Sequence, residues 1–227
     1  MARPRYPVVA FDLDGTLLRG TSVSLYLAER SGRGDVLVEL ERRFRTGEIS
    51  NREIADVTAG WFAGSTPAAI WGDLGRAPWI GGMRTTLECL SAAGCHIVLG
   101  TVTWRFAAEL IEREYGFDAV SGTEMGVDGD GTLSGVVTRY FDEYDKVAFV
   151  RDWCTANGYS MDQVAAVGDS RSDVPLFESV GFAVALNATT DARAAADERV
   201  DTEDLTDVLP LLIDDGAAGP ANGGAER

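Results

Sequence analysis

Among its 227 residues the chain has one lysine, Lys146, and one histidine, His96; every other basic side chain is arginine. Positive charge is scarce. With 36 acidic against 20 basic residues the formal charge is −16, which opposes binding to polyanions, because sequence-independent affinity for nucleic acid comes from neutralising phosphates. Nucleic acid and anionic membranes are therefore not expected as partners. Cysteine is limited to Cys89, Cys95 and Cys154, an odd number without metal-ligand spacing, so neither a disulfide framework nor a zinc site is expected. No apolar run approaches the roughly 20 residues needed to cross a bilayer. The first seven residues lead into a strand-like segment with no apolar stretch or cleavage site of a signal peptide. A soluble chain in the cytoplasm is the expectation.

What is present is an alternation of strand and helix signals. Tyr6 to Leu13 reads as a buried strand that stops abruptly in Asp12-Leu13-Asp14-Gly15-Thr16. From Ser22 to Arg76 only helix-like stretches appear, punctuated by Gly and Ser. Downstream, strands at His96 to Thr101, Ala119 to Thr123, Gln163 to Val167 and Phe182 to Leu186 are separated by helical segments, and Met125 to Thr138 reads as a hairpin turning on Asp128-Gly129-Asp130-Gly131. That run lacks the ligand series of a calcium loop. Strands joined by helical crossovers predict an α/β fold with a doubly wound parallel sheet. Residues 1–20 and 80–213 are expected to form this core, residues 21–79 a helical cap, and residues 214–227 a disordered tail.

In an open parallel sheet ligands bind beyond the carboxyl ends of the strands. Asp12 and Asp14 lie there after the first strand, and Asp169 and Asp173 follow the strand at Gln163 to Val167. Four acids converging on one place repel one another unless a divalent cation neutralises them, and an all-oxygen set suits Mg²⁺. Thr101 ends a further strand, and Lys146 opens a downstream helix. Retaining one lysine in a chain that otherwise uses arginine points to a task for a compact ammonium.

Taken together, Phe11-Asp12-Leu13-Asp14-Gly15-Thr16-Leu17, Thr101, Lys146 and Gly168-Asp169-Ser170-Arg171-Ser172-Asp173 resemble the four ordered motifs of the haloacid dehalogenase superfamily of phosphatases. The helical insertion after the first motif looks like the cap of its phosphoserine phosphatase-like branch. The resemblance implies a Rossmann-like core and a Mg²⁺-dependent phosphatase in which Asp12 attacks phosphorus. Asp14 would then protonate the leaving oxygen and later deprotonate water. It implies that Asp12, the Asp14 carbonyl and Asp169 hold Mg²⁺, that Asp173 binds metal-bound water or orients Lys146, and that Thr101 and Lys146 hold the phosphoryl oxygens. A phosphotransferase or phosphomutase would share all four motifs, and a metal-binding regulatory module is disfavoured because no motif residue is lost.

The chain departs from that branch where substrate selectivity resides. Phosphoserine phosphatases usually carry a Glu after the first motif and an Arg on a cap helix; an ungapped count places these at Thr21 and at or near Asp56. Phosphoserine is then expected to be a poor substrate unless Arg52 or Arg45 supplies the cation. A small neutral or cationic ester is expected instead, a sugar, cyclitol, polyol or amino-alcohol phosphate. Arg171 and Trp104 are further candidates for substrate contact, although a surface role for Arg171 is as consistent with the sequence and a core role for Trp104 is favoured over it.

Overall fold

The computed structural model describes residues 2–214. The chain runs through β1 (Arg3–Pro4) and β2 (Val8–Phe11), then four helices, α1 (Val23–Arg30), α2 (Gly34–Arg45), α3 (Asn51–Thr58) and α4 (Pro67–Leu74). Next come α5 (Met83–Ala93), β3 (His96–Leu99), α6 (Arg105–Tyr115), β4 (Ala119–Val120) and a hairpin of β5 (Glu124–Val127) and β6 (Leu133–Arg139). The last part is α7 (Glu143–Asn157), β7 (Val164–Gly168), α8 (Val174–Phe177), β8 (Phe182–Leu186), α9 (Thr190–Ala195), β9 (Glu198–Val200), α10 (Leu209–Leu212) and β10 (Ile213–Asp214). Among the described residues no helix is long and apolar enough to cross a membrane.

Six strands form a parallel sheet in the order β4-β3-β2-β7-β8-β9. Its central strands are continuously apolar because helices cover both faces: Val9, Phe11, Ile97 and Leu99 point into one cluster, Val8, Ala10, Val98 and Ala166 into the other. The strand order reverses at β2, which pairs with β3 on one side and β7 on the other. The crevice at such a reversal, outside the carboxyl ends of the strands, is where this class of sheet binds ligands.

Three short strands escaped the sequence signal. β9 extends the sheet edge, and β1 pairs antiparallel with β10. Asp214, placed at the start of a tail on sequence, is thus part of a two-residue strand, and residues 215–227 lie outside the described residues. Strands of two or three residues carry too little alternation to be read locally.

Helices α1, α3 and α4 begin where capping chemistry allows. Ser22 caps α1 by accepting from the Leu25 amide, Ser50 and Glu53 form a reciprocal box at α3, and Thr66 with Pro67 opens α4. Ala28, Leu37, Ile49 and Ile54 bury a small cluster of their own. The β5–β6 hairpin, grouped with the α/β core on sequence, is hydrogen-bonded to the loop before α4: the Gly64 amide donates to Leu133 O and the Leu133 amide to Ser65 O.

Candidate active site

At the carboxyl end of β2 the Asp12 amide still donates to Val167 O, so the strand ladder holds this residue where the strand stops. Its side chain is buried. Leu13 and Leu17 turn into the core, and the turn between them requires a left-handed Gly15, φ 87°. A Cβ at Gly15 would lie 2.2 Å from Asp169 Oδ2, so glycine here also lets the two acid-bearing loops meet. Asp14 Oδ1 accepts a 2.8 Å bond from the Val23 amide at the start of α1.

Lys146 lies in the first turn of α7 and is wholly buried. Its Nζ donates to Asp12 Oδ1 and to Asp173 Oδ1, each at 2.7 Å. Asp173 Oδ2 accepts from the amides of Asp169 and Ser170. Both Asp173 oxygens are therefore engaged, one in aiming the lysine and one in closing its own loop. Gly100 keeps room for the lysine stem: a Cβ there would sit 3.3 Å from Lys146 Cγ. Thr101 is fully buried after β3; its amide donates to Ser121 Oγ and its Oγ1 accepts from the Thr103 amide.

The electrostatics match a site short of positive charge. Burial, then the Asp173 charge, pushes the Asp12 carboxyl up to about 7, against the attraction of Lys146. Burial also pushes Asp14 up to about 8, opposed by the Val23 bond and aided by the charges of Asp12 and Glu41, and it raises Asp169 strongly. Burial alone would lower Lys146, but Asp12 and Asp173 outweigh it and hold the ammonium charged. Carboxylate oxygens of Asp12, Asp169 and Asp173 lie within 4.8 Å of one another, and Asp169 Oδ1 is buried without a hydrogen-bond partner. A hard divalent cation fits this donor set, since it supplies the ligand that the orphaned oxygen lacks and offsets the repulsion.

The cavity above these residues, about 950 Å³, is roofed by α1, α2 and α3. Thr21 and Trp104 line it, Trp104 with its ring also packed against Phe62 and Phe106. Arg171 also lines it, its guanidinium stacked on Phe44 at 4.6 Å and paired with Glu143 at 3.3 Å, with Nε buried and without a hydrogen-bond partner. Asp56 and Arg52 require correction. Asp56 binds the Tyr140 hydroxyl and Arg52 stacks on the Tyr140 ring, so both lie outside the cavity. The face of α3 that does line it carries Asn51, Ile54, Ala55 and Thr58, a stripe at helical spacing. The Ser50-Glu53 capping box fixes where that helix starts, but which of its faces looks inward is decided by its packing against the rest of the chain.

Residues missed on sequence are Glu41 and Phe44 of α2, which line the cavity with Arg45, and Asn51. The Asn51 amide nitrogen donates to Val102 O at 3.0 Å and Phe141 O at 2.8 Å, tying α3 to the loop after Thr101. His96 is at the opposite end of its strand, against Trp153 and Tyr159.

Comparison with known proteins agrees with this geometry. The chain is 31% identical over 209 residues to the phosphoserine phosphatase SerB2 of Mycobacterium tuberculosis, covering 90% of this chain but 50% of that protein. It thus spans about half the length of that relative. A phosphoserine phosphatase of Halobacterium salinarum is 30% identical over 214 residues, with 92% of this chain and 97% of that protein covered. A solved phospho-aspartyl intermediate analogue of phosphoserine phosphatase superposes with a TM-score of 0.79 over 91% of this chain and 98% of that one; at 19% identity it speaks for the fold alone. The family model described as haloacid dehalogenase-like hydrolase matches residues 9–178, a span that contains every acid of the cluster, Thr101 and Lys146, and to that family the chain belongs.

Proposed function

We propose that the protein is a Mg²⁺-dependent phosphomonoester hydrolase working through a phosphorylated Asp12. One observation carries this reading: a fully buried lysine bridges Asp12 and Asp173 at a strand end where Asp169 presents an unpartnered oxygen. Lys146 engages Oδ1 of Asp12, a residue that lines the cavity, which leaves the second carboxylate oxygen as the nucleophile. That oxygen attacks phosphorus as the ester P–O bond breaks, and Asp14, whose raised proton affinity suits an acid near neutral pH, gives its proton to the leaving oxygen. Asp14 then takes a proton from water as the water oxygen replaces Asp12 on phosphorus, so ester and water yield alcohol and phosphate. Lys146 and the hydroxyl of Thr101 offset charge spreading over the phosphoryl oxygens. Asp12, Asp169 and the Asp14 carbonyl would hold Mg²⁺, which would add to the neutralisation of that charge.

The substrate reading is a small phosphate ester with a neutral or cationic leaving group, a sugar, cyclitol, polyol or amino alcohol. It is supported by the uncharged faces that α3 and Thr21 present to the cavity. Phosphoserine is the second reading, favoured by the names of the relatives and by Arg45 at the cavity mouth. Residues 21–79 act in this proposal as a cap over the α/β core. The test is phosphate release from a panel of these esters with Mg²⁺ and with EDTA. Metal-dependent release that vanishes in Asp12→Asn is expected; release that survives that substitution refutes the nucleophile.

A further inference from the structure

Glu41 is an acid in an unusual place. α2 is amphipathic, and its inward stripe consists of Leu37, Leu40, Glu41 and Phe44; Leu37 is fully buried and Leu40 and Phe44 pack in the same cluster. A carboxylate on that stripe forgoes hydration, and burial raises its proton affinity. Among the described residues Glu41 has a single hydrogen-bond donor, the hydroxyl of Ser22, and no cation in ion-pair contact, Arg45 acting on it only at longer range. Glu39 of the same helix behaves differently, being paired with Arg42 on the outer face. Arg45, one turn beyond Glu41, stays at the exposed mouth of the cavity.

The position of Glu41 relative to the chemistry is fixed by two consecutive residues. Ser22 donates its hydroxyl to Glu41, and the next residue, Val23, donates its amide to Asp14. Glu41 therefore borders the side of the cavity where Asp14 faces the leaving group. A phosphate dianion entering beside Asp12, Asp14 and Asp169 gains nothing from a further carboxylate unless the leaving group itself brings positive charge. A hydroxyl would satisfy the free carboxylate oxygen but would leave this repulsion in place.

Resting on the phosphatase reading, we propose that Glu41 is the leaving-group recognition residue of this site and binds a substrate ammonium, so that the preferred esters are aminoalkyl phosphates. The assignment places selectivity on α2 rather than on the loop after Asp12, where Thr21 has no charge to offer.

The experiment compares kcat/KM, with saturating Mg²⁺, for aminoethyl phosphate and hydroxyethyl phosphate, which differ only in ammonium against hydroxyl, with phosphoserine and an aryl phosphate alongside. The wild type is expected to prefer the amine over the alcohol by about ten-fold or more, the scale of a charge-assisted hydrogen bond, and Glu41→Gln is expected to remove most of that preference. Gln retains an oxygen for the Ser22 hydroxyl, and a melting curve checks that the variant is folded. A wild-type ratio near one, a preference unchanged in Glu41→Gln, or silence toward both small esters while the aryl phosphate is hydrolysed would each overturn the assignment. So would phosphoserine turnover that exceeds the others and is indifferent to Glu41→Gln. Absence of phosphate release from every ester, with no phosphoryl group taken up by Asp12, would instead remove the phosphatase reading itself and the assignment with it.

Discussion

Replacing Lys146 by Met separates two tasks that the structure gives to one side chain. Met keeps the unbranched stem that passes Gly100 and deletes the ammonium that makes two 2.7 Å bonds with Asp12 and Asp173. Both acids are buried, so the loss leaves uncompensated charge in the interior rather than on the surface. Breaking a buried pair by removing one partner costs about 3–5 kcal/mol, and proton uptake by Asp12, whose carboxyl already lies near 7, absorbs part of it. The variant is therefore expected to lose on the order of 3 kcal/mol in urea unfolding without metal, and to regain much of this with Mg²⁺. Turnover should behave otherwise: losing a preorganised donor to the transferring group lowers kcat by roughly 100- to 1,000-fold, and Mg²⁺ does not restore it. Parallel urea titrations and phosphate-release assays with and without Mg²⁺ measure both. A Lys146→Met protein with near wild-type kcat, or with metal-free stability unchanged, would refute the bridging argument.

Other expectations follow from single contacts. Gly15→Ala forces a Cβ into Asp169 in a left-handed turn, so Mg²⁺ affinity by calorimetry should weaken by about 10- to 100-fold; unchanged affinity would mean that Asp169 is not a ligand. Asn51→Ala strips a donor from Val102 O and Phe141 O and should cost about 1–3 kcal/mol, with a raised KM; an unaltered KM would show that the α3 tie does not shape the cavity. The Asp12 carboxyl, near 7 when folded, lies above its unfolded value, so the metal-free folded chain holds the extra proton between those values. Its stability contribution therefore falls as pH rises through that window, and because Mg²⁺ displaces the proton, the gain in Tm on adding Mg²⁺ should be larger at about pH 8 than at about pH 5. A pH-independent gain would contradict the raised carboxyl.

The core motifs were legible because their chemistry is local: an apolar run ending in Asp12 and Asp14, or in Asp169, announces a strand end whatever surrounds it. The lone lysine was legible by contrast with twenty basic residues that are otherwise arginine. Selectivity was not legible, since it depends on which face of a helix looks inward. An ungapped count put Asp56 toward the substrate, with Arg52 as a cation that could move in; the packing of α3 turned both toward Tyr140 and brought Asn51 and Thr58 to the cavity.

By itself the sequence determined the sheet class, the acids that meet at the strand ends and the need for a cation among them, because strand termination and charge repulsion are written in short stretches of chain. Only the tertiary structure decided that Lys146 spans Asp12 and Asp173, that Asp173 spends both oxygens on positioning, and that Glu41 enters the cavity unpaired. The lysine bridge and the Ser22–Glu41 contact join residues distant in the chain, and their distances, burial and free valence exist only once α7 has packed on the sheet and α2 against α1.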